Sequence, residues 1–189
     1  MSFITTYTGK HLDPLAPDMN MVDIRDIAHS LSLTCRGNGQ VKSFFSVGQH
    51  CINCALEAEQ RGCNARLVLA CLIHDAAEAY LSDVPRPLKQ CLPEYCLAEK
   101  RLLDLIYTKY LGSPLTEAEA RELKSIDNDM MYYDMKELLG ETIRETPPLI
   151  HIPLYYGPTP FEQVEQTYLS LYEKWRNTLG GTYADSKTL

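Results

Sequence analysis

The sequence predicts a single all-α domain with a short N-terminal extended or hairpin arm. Three observations carry this. The chain has 189 residues, enough for one domain with a sizeable core and hardly enough for two. Apolar residues recur at three- and four-residue spacing in successive stretches from Ile24 to Trp175. Glycine, proline and polar breaks separate those stretches at helical lengths.

Residues 1–21 form the arm. Phe3 to Tyr7 is β-rich, Gly9 offers a turn, and Pro14 and Pro17 discourage helix. The helical domain spans 22–179. Asp23 is placed to cap a first helix whose buried face is Ile24, Ile27, Ala28 and Leu31. Arg36-Gly37-Asn38-Gly39-Gln40 breaks it. Ser46 caps a second helix with the stripe Val47, His50, Cys51, Cys54, Ala55 and Ala58, and Gly62 ends it. The third helix, from about Ala65 to Tyr80, is apolar nearly all round and belongs at the centre. Pro85 and Pro87 mark a short loop. A fourth helix runs from Pro93 to about Tyr110 and stops at Gly112-Ser113-Pro114. Thr116-x-x-Glu119 is a capping box for a fifth, with Leu123, Ile126, Met130, Met131 and Leu138 inward. Residues 147–160 read as irregular, with a short extended piece at Ile150 to Tyr155. A last helix, Phe161 to Leu179, turns Phe161, Val164, Tyr168, Leu171 and Trp175 to the core. Gly180 and Gly181 end it, and 180–189 reads as a disordered tail.

Apolar residues make up 45% of the chain and charged ones 23%, an ordinary globular composition. No run approaches the roughly 20 apolar residues of a membrane span. The first residues lack the layout of a signal peptide, so a cytoplasmic location is expected. The seven cysteines are odd in number and several sit on helical stripes, so they read as free thiols. Cys51-x-x-Cys54 has no second Cys-x-x-Cys to complete a zinc ribbon. The net charge of −7 argues against binding a nucleic-acid polymer but leaves a small anionic substrate open.

One oddity repeats: potential ligands on apolar stripes. His50 lies one turn after Val47. His74 and Asp75 follow the apolar run Leu67 to Ile73. Asp127 lies beside Ile126 on an inward face. An unpaired buried charge costs several kcal/mol or more, and one shared metal ion would relieve all four residues at once. Two imidazoles and two carboxylates suit one divalent transition ion: Zn, Mn, Fe, Co or Ni. Glu78 follows Asp75 by three and His74 by four, which places a carboxylate beside any such ion as general acid or base.

His50…His74-Asp75…Asp127 is the H…HD…D signature of the HD-domain metal-dependent phosphohydrolases. Phe45-Ser46-Val47-Gly48-Gln49-His50 and the block from His74 to Lys89 (His-Asp-Ala-Ala-Glu-Ala-Tyr-Leu-Ser-Asp-Val-Pro-Arg-Pro-Leu-Lys) resemble the small HD hydrolases of bacteria and their phages and prophages, which are similar to the bacterial 5′-deoxynucleotidase. The resemblance covers roughly residues 1 to 160. It implies an HD-type helical bundle with His50, His74, Asp75 and Asp127 as metal ligands. It implies Glu78 as the catalytic glutamate, Asp83 near the sugar or the attacking water, and Arg36 on the phosphate. Lys89 can reach a phosphate or stand at the surface. The expected substrate is a nucleoside monophosphate, deoxynucleotides foremost, and relatives suggest a homodimer.

Two departures from the relatives stand out. An aromatic residue usually follows the phosphate-binding arginine and crowds a ribose 2′-hydroxyl; this chain has Gly37. Asp134, seven after Asp127, can orient Arg36 or a ligand histidine, or reach solvent. Competing readings are a dNTP triphosphohydrolase, which needs basic residues beyond Arg86 and Lys89, and a non-catalytic, nucleotide-binding regulator of phage type. Alarmone hydrolases carry His-Asp-x-x-Glu-Asp, whereas Ala79 follows Glu78 here; cyclic-dinucleotide phosphodiesterases carry a Gly-Tyr-Pro block that this sequence lacks. His29 reads as a hydrogen-bonded core residue, and Tyr132, Tyr133, Tyr155 and Tyr156 as packing or base-stacking groups.

Overall fold

The arm is an antiparallel hairpin, β1 (Ile4–Thr5) and β2 (His11–Leu12), in the register Ile4↔Leu12 and Thr5↔His11. Gly9 supplies the turn with φ +80°, a conformation that costs glycine little. Leu12 is fully buried and pins the arm to the core. The structure, a computed structural model, describes residues 3–185, the last five by backbone alone.

The remaining elements are helical. They are α1 (Ile24–Leu33), α2 (Val47–Gln60), α3 (Ala65–Leu72), α4 (Glu78–Leu81), α5 (Arg86–Lys89), α6 (Pro93–Leu111), α7 (Glu117–Asp134) and α8 (Phe161–Asp185). The expected caps form. Asp23 accepts from Arg25 N, and Ser46 with Gln49 and Thr116 with Glu119 make full capping boxes. The fold is all-α with a short hairpin, α2 and α3 lying at its centre against α8, α1 and α7. Among the described residues no helix is long and apolar enough to cross a membrane.

Three local expectations are corrected, and one, the fifth helix reaching Leu138, is refined. The third helix does not continue to Tyr80. It ends at Leu72, and Ala76 N and Glu78 N bond three residues back, to Ile73 O and Asp75 O, so the chain tightens into turns before α4. His74 Nδ1 lies 2.8 Å from the Cys71 carbonyl, one of the acceptors freed at that helix end. Pro85 and Pro87 do not mark a plain loop but start α5, where proline is tolerated in the first turn. α7 runs on into a π-turn, Met135–Leu139. The last helix passes through Gly180 and Gly181 to Asp185, because a helical glycine costs only about 1 kcal/mol relative to alanine. The remainder of the expected tail, 186–189, lies outside the described residues.

Gly48 fixes the α1–α2 crossing. A Cβ there would stand 3.2 Å from Leu31 C and O and from Ser32 N, all backbone atoms of α1. Gly48→Ala therefore destabilises the fold by about 1 kcal/mol or more, net of the roughly 1 kcal/mol gained in helix propensity. A urea melt checks this; an unchanged or higher midpoint contradicts it.

The stretch 140–160 is irregular, over 147–160 as expected, without a strand at 150–155. It is fastened to α2 by the fully buried Glu57, which accepts from His151 N and Arg61 Nε, each at 2.8 Å, and faces His151 Nδ1 at 2.8 Å. Tyr133 Oη also donates to Pro148 O at 2.7 Å. This anchorage delivers Tyr156 to the site described next.

Candidate metal centre and adjoining cleft

His50 sits in the first turn of α2, fully buried, because Ser46 starts the helix four residues earlier and turns that face inward. His74 and Asp75 occupy the turn after α3. Tyr168 of α8 holds that helix end by donating to Leu72 O at 2.7 Å. Asp127 comes from the middle of α7. These three elements converge. His50 Nε2 lies 3.1 Å from Asp127 Oδ1, and His74 Nε2 lies 3.3 Å from Asp75 Oδ2 and 3.8 Å from Asp127 Oδ1. His74 Nε2 is buried and makes no hydrogen bond.

Cysteines adjoin the same histidines. His50, Cys54 and His74 each offer a donor atom within 4.8 Å of the others, all three buried, and this cluster can hold a metal ion; Cys51, His74 and Asp75 form a second such set. From the sequence both cysteines read as small apolar residues of the α2 stripe. The signal that could have separated Cys54 was its spacing, four after His50 on one helical face.

Asp134 is the hub behind the histidines, and its open placement is now resolved. Its Oδ2 lies 2.8 Å from His50 Nδ1 and accepts from Arg36 Nη2 at 3.3 Å; its Oδ1 accepts from Tyr156 Oη at 2.9 Å. It therefore orients both Arg36 and His50 and turns His50 Nε2 toward Asp127. Carboxylates in this position raise the basicity of a ligand imidazole, and losing them typically costs 10–100-fold in metal affinity. Asp134→Asn is expected to weaken divalent-ion binding by roughly that factor in a calorimetric titration. An unchanged affinity would remove Asp134 from the centre.

The electrostatics favour positive charge here. Burial and Arg36 both oppose a charged His50, yet Cys54, Asp134 and Asp127 outweigh them and hold the ring protonated well above the usual histidine range. Burial likewise opposes a charged His74, and Asp75, Cys51 and Asp127 reverse it. Burial pushes Asp127 up, but His50 and His74 hold it far below the usual carboxylate range. Burial also opposes charge on Arg36, and Asp134 and Asp75 more than compensate.

Asp75 and Asp127 open onto a cleft of about 740 Å³. Arg36, Glu78, Asp83, Lys89, Arg86 and Lys124 line its polar side, and Val41, Val84, Met131, Met135, Leu138 and Ile143 its apolar side. Arg36 stands in a 3₁₀ turn whose next residues, Gly37 (φ +58°) and Asn38 (φ +53°), are left-handed; its Nη1 lies 3.6 Å from Asp75 Oδ2. Glu78 is 7% exposed, its Oε2 has no hydrogen-bond partner, and Lys89 Nζ lies 3.6 Å from its Oε1. Burial, then Asp75 and Asp83, push the Glu78 carboxyl up to about 9. Lys89 is not a free surface lysine: it donates to Glu99 Oε1 at 2.5 Å and is half-buried.

Ser82, just before Asp83, has φ +70° and ψ 156°, a region that non-glycine residues rarely enter. Its amide donates to Glu78 O at 3.0 Å and its carbonyl accepts from Tyr95 Oη at 2.8 Å. Lys124 is a cleft cation that the sequence reading missed. It donates to Asp127 Oδ2 at 2.6 Å, an i,i+3 pair that spacing alone could have flagged. His29 is structural, 3.0 Å from Glu165 and stacked on Tyr7 at 3.7 Å.

No family model matches the chain. It is similar to the uncharacterized protein YfdR of Escherichia coli, 40% identical over 110 residues, which are 58% of this chain and 59% of that protein. It is also similar to the uncharacterized protein RCAP_rcc00048 of Rhodobacter capsulatus, 29% identical over 139 residues, 70% of this chain and 71% of the relative. The match thus spans less than two thirds of the E. coli protein, and neither name states an activity.

Proposed function

We propose that this chain is a metal-dependent phosphohydrolase that releases the 5′-phosphate of nucleoside monophosphates, with His50, His74, Asp75 and Asp127 holding one divalent transition ion. The observation that carries the reading is the buried His74 Nε2, which makes no hydrogen bond and lies 3.3 and 3.8 Å from two carboxylates beside a cleft lined by Arg36 and Glu78. Ligands bound at about 2.0–2.2 Å in tetrahedral or octahedral geometry stand roughly 3.0–3.5 Å apart. The separations of 3.1 and 3.3 Å fall within that range, and the third, 3.8 Å, lies a few tenths of an ångström beyond it. An environment that keeps two imidazoles protonated also suits such a set, since those protons supply the positive charge that an ion would bring. When bound, the ion supplies Lewis-acid polarisation of the phosphoryl group and of a water.

The residues divide the remaining work. Arg36, held by Asp134 at the cleft, donates charge-assisted hydrogen bonds to phosphoryl oxygens. Glu78, raised to about 9, carries a proton at neutral pH and donates it to the leaving 5′-oxygen. A cation among the neighbouring ligands draws that value back toward the working pH. Asp83, projected into the cleft by the strained Ser82, accepts from a sugar hydroxyl or from water. The apolar wall takes the base, and the cleft volume lies in the usual range for small-molecule sites. Gly37 presents no side chain over the sugar, so deoxy- and ribonucleotides are expected to turn over within about tenfold of each other, a difference of roughly 1.4 kcal/mol or less.

The test is product analysis on a panel of dNMPs, NMPs, dNTPs and ppGpp with Mn, Co, Zn or Mg added in turn. Inorganic phosphate from monophosphates alone supports the reading. Triphosphate released from dNTPs would transfer it to the triphosphohydrolase alternative, for which Lys124, beside Arg86 and Lys89, supplies an extra cation. No product from any nucleotide, with metal bound, favours the regulator.

A further inference from the structure

We propose that Cys54 is a metal-selective ligand of the same centre: thiophilic ions recruit its sulfur from the core side, and hard ions leave it out. The inference rests on the metal-centre reading above and names the ion class that would silence it. Cys54 is 1% exposed and its Sγ lies 3.5 Å from His50 Nε2. That nitrogen also lies 3.1 Å from Asp127 Oδ1. The independent observation is His74. Its Nδ1 is occupied by the Cys71 carbonyl, so its buried, unpartnered Nε2 is the nitrogen left to bind an ion. His50, Cys54 and His74 bring their donors within 4.8 Å of one another.

The two kinds of donor face opposite ways. Asp75 and Asp127 line the cleft, whereas Cys54 is packed in the core beside the α2–α3 contact. The sulfur joins His50 and His74 in one cluster, and Asp127, 3.1 Å from His50 Nε2, is the neighbouring carboxylate that would make a fourth ligand. Four ligands close a tetrahedral site, whereas a six-coordinate ion on His50, His74, Asp75 and Asp127 keeps positions open. Thiolate prefers Zn and softer ions, and carboxylate prefers Mg and Mn. On binding, the Cys54 S–H bond and the Nε2–H bonds of His50 and His74 break, the sulfur and the two nitrogens bond to the metal, and the protons leave to solvent. No electron is transferred. An ion so held occupies the centre without an exchangeable position toward the cleft, so thiophilic ions are expected to bind tightly and inhibit.

Cobalt tests this without any assay of turnover. Chelator-stripped full-length protein is titrated with Co²⁺ and followed by absorption, beside Cys54→Ser and Cys54→Ala, with circular dichroism to verify that each variant is folded. The expected result is an intense sulfur-to-cobalt charge-transfer band in the near ultraviolet, together with weak visible ligand-field bands. Both variants are expected to lose the ultraviolet band and keep the visible ones. Visible bands alone in the wild type would overturn the Cys54 assignment while leaving the metal centre standing, and so would an ultraviolet band that survives either folded variant. Absence of any cobalt spectrum in the wild type would overturn the metal centre itself, and with it this inference.

Discussion

Glu78→Gln is expected to lose turnover and gain stability in one step. Removing a positioned general acid costs roughly 10²–10⁴-fold in rate. The stability gain comes from the same burial that tunes the residue. The Glu78 carboxyl is raised to about 9, so between its unfolded value near 4.5 and about 9 the folded chain binds more proton than the unfolded one. Stability then falls as pH rises through that window, by at most about 1.4 kcal/mol per pH unit for one group. Glutamine fills the same space without a titrating proton. Chelator-stripped Glu78→Gln protein should therefore exceed the wild type by a margin that is small at pH 5 and grows to on the order of 1–3 kcal/mol at pH 8. Thermal melts at the two pH values read this directly. A variant that retains turnover removes Glu78 from the chemistry, and a margin independent of pH contradicts the buried, protonated carboxyl.

Asp127→Asn is expected to lose turnover too, but to move stability the other way. Asp127 Oδ1 serves both His50 Nε2 and His74 Nε2, and its Oδ2 accepts from Lys124. Its carboxylate is held far below the ordinary range, so its stabilisation is present above the unfolded value near 3.8 and fades only in strong acid. Removing one partner of a buried charge cluster typically costs about 3–5 kcal/mol, and this side chain is only 14% exposed. At neutral pH the stripped variant should melt well below the wild type. Reloaded with ion, it should bind at least about 100-fold more weakly, beyond what loss of an outer hydrogen-bond partner causes. Metal content after dialysis and a melting curve check the two halves. Wild-type affinity in the variant would exclude Asp127 as a ligand.

Much of this site could be read from the chain because its members break a local pattern. An imidazole at position 50 and a carboxylate at position 127 sit where aliphatic residues belong, and that contradiction is visible without coordinates. The caps were equally visible, since Ser46 with Gln49 and Thr116 with Glu119 satisfy helix ends through purely local bonds. What escaped was whatever depends on the partner across the fold. The turn at His74-Asp75 is hidden inside an apolar, helix-favouring run, and the break shows only once the Cys71 carbonyl is seen beside the His74 ring and the Leu72 carbonyl bonded to Tyr168. The choice among roles for Asp134 likewise required α2, the 36–39 turn and the 140–160 segment to arrive together. Tyr156 contributes through an irregular stretch with no periodicity to read.

The most direct measurement is phosphate release from a deoxynucleoside monophosphate by chelator-stripped protein to which Mn²⁺, an ion that favours carboxylate over thiolate, is returned in fractional equivalents. No release is expected without the ion, and activity is expected to rise linearly to a plateau at one equivalent per chain. Release by the stripped protein at the same rate, or none although one ion is bound, would contradict metal-dependent hydrolysis.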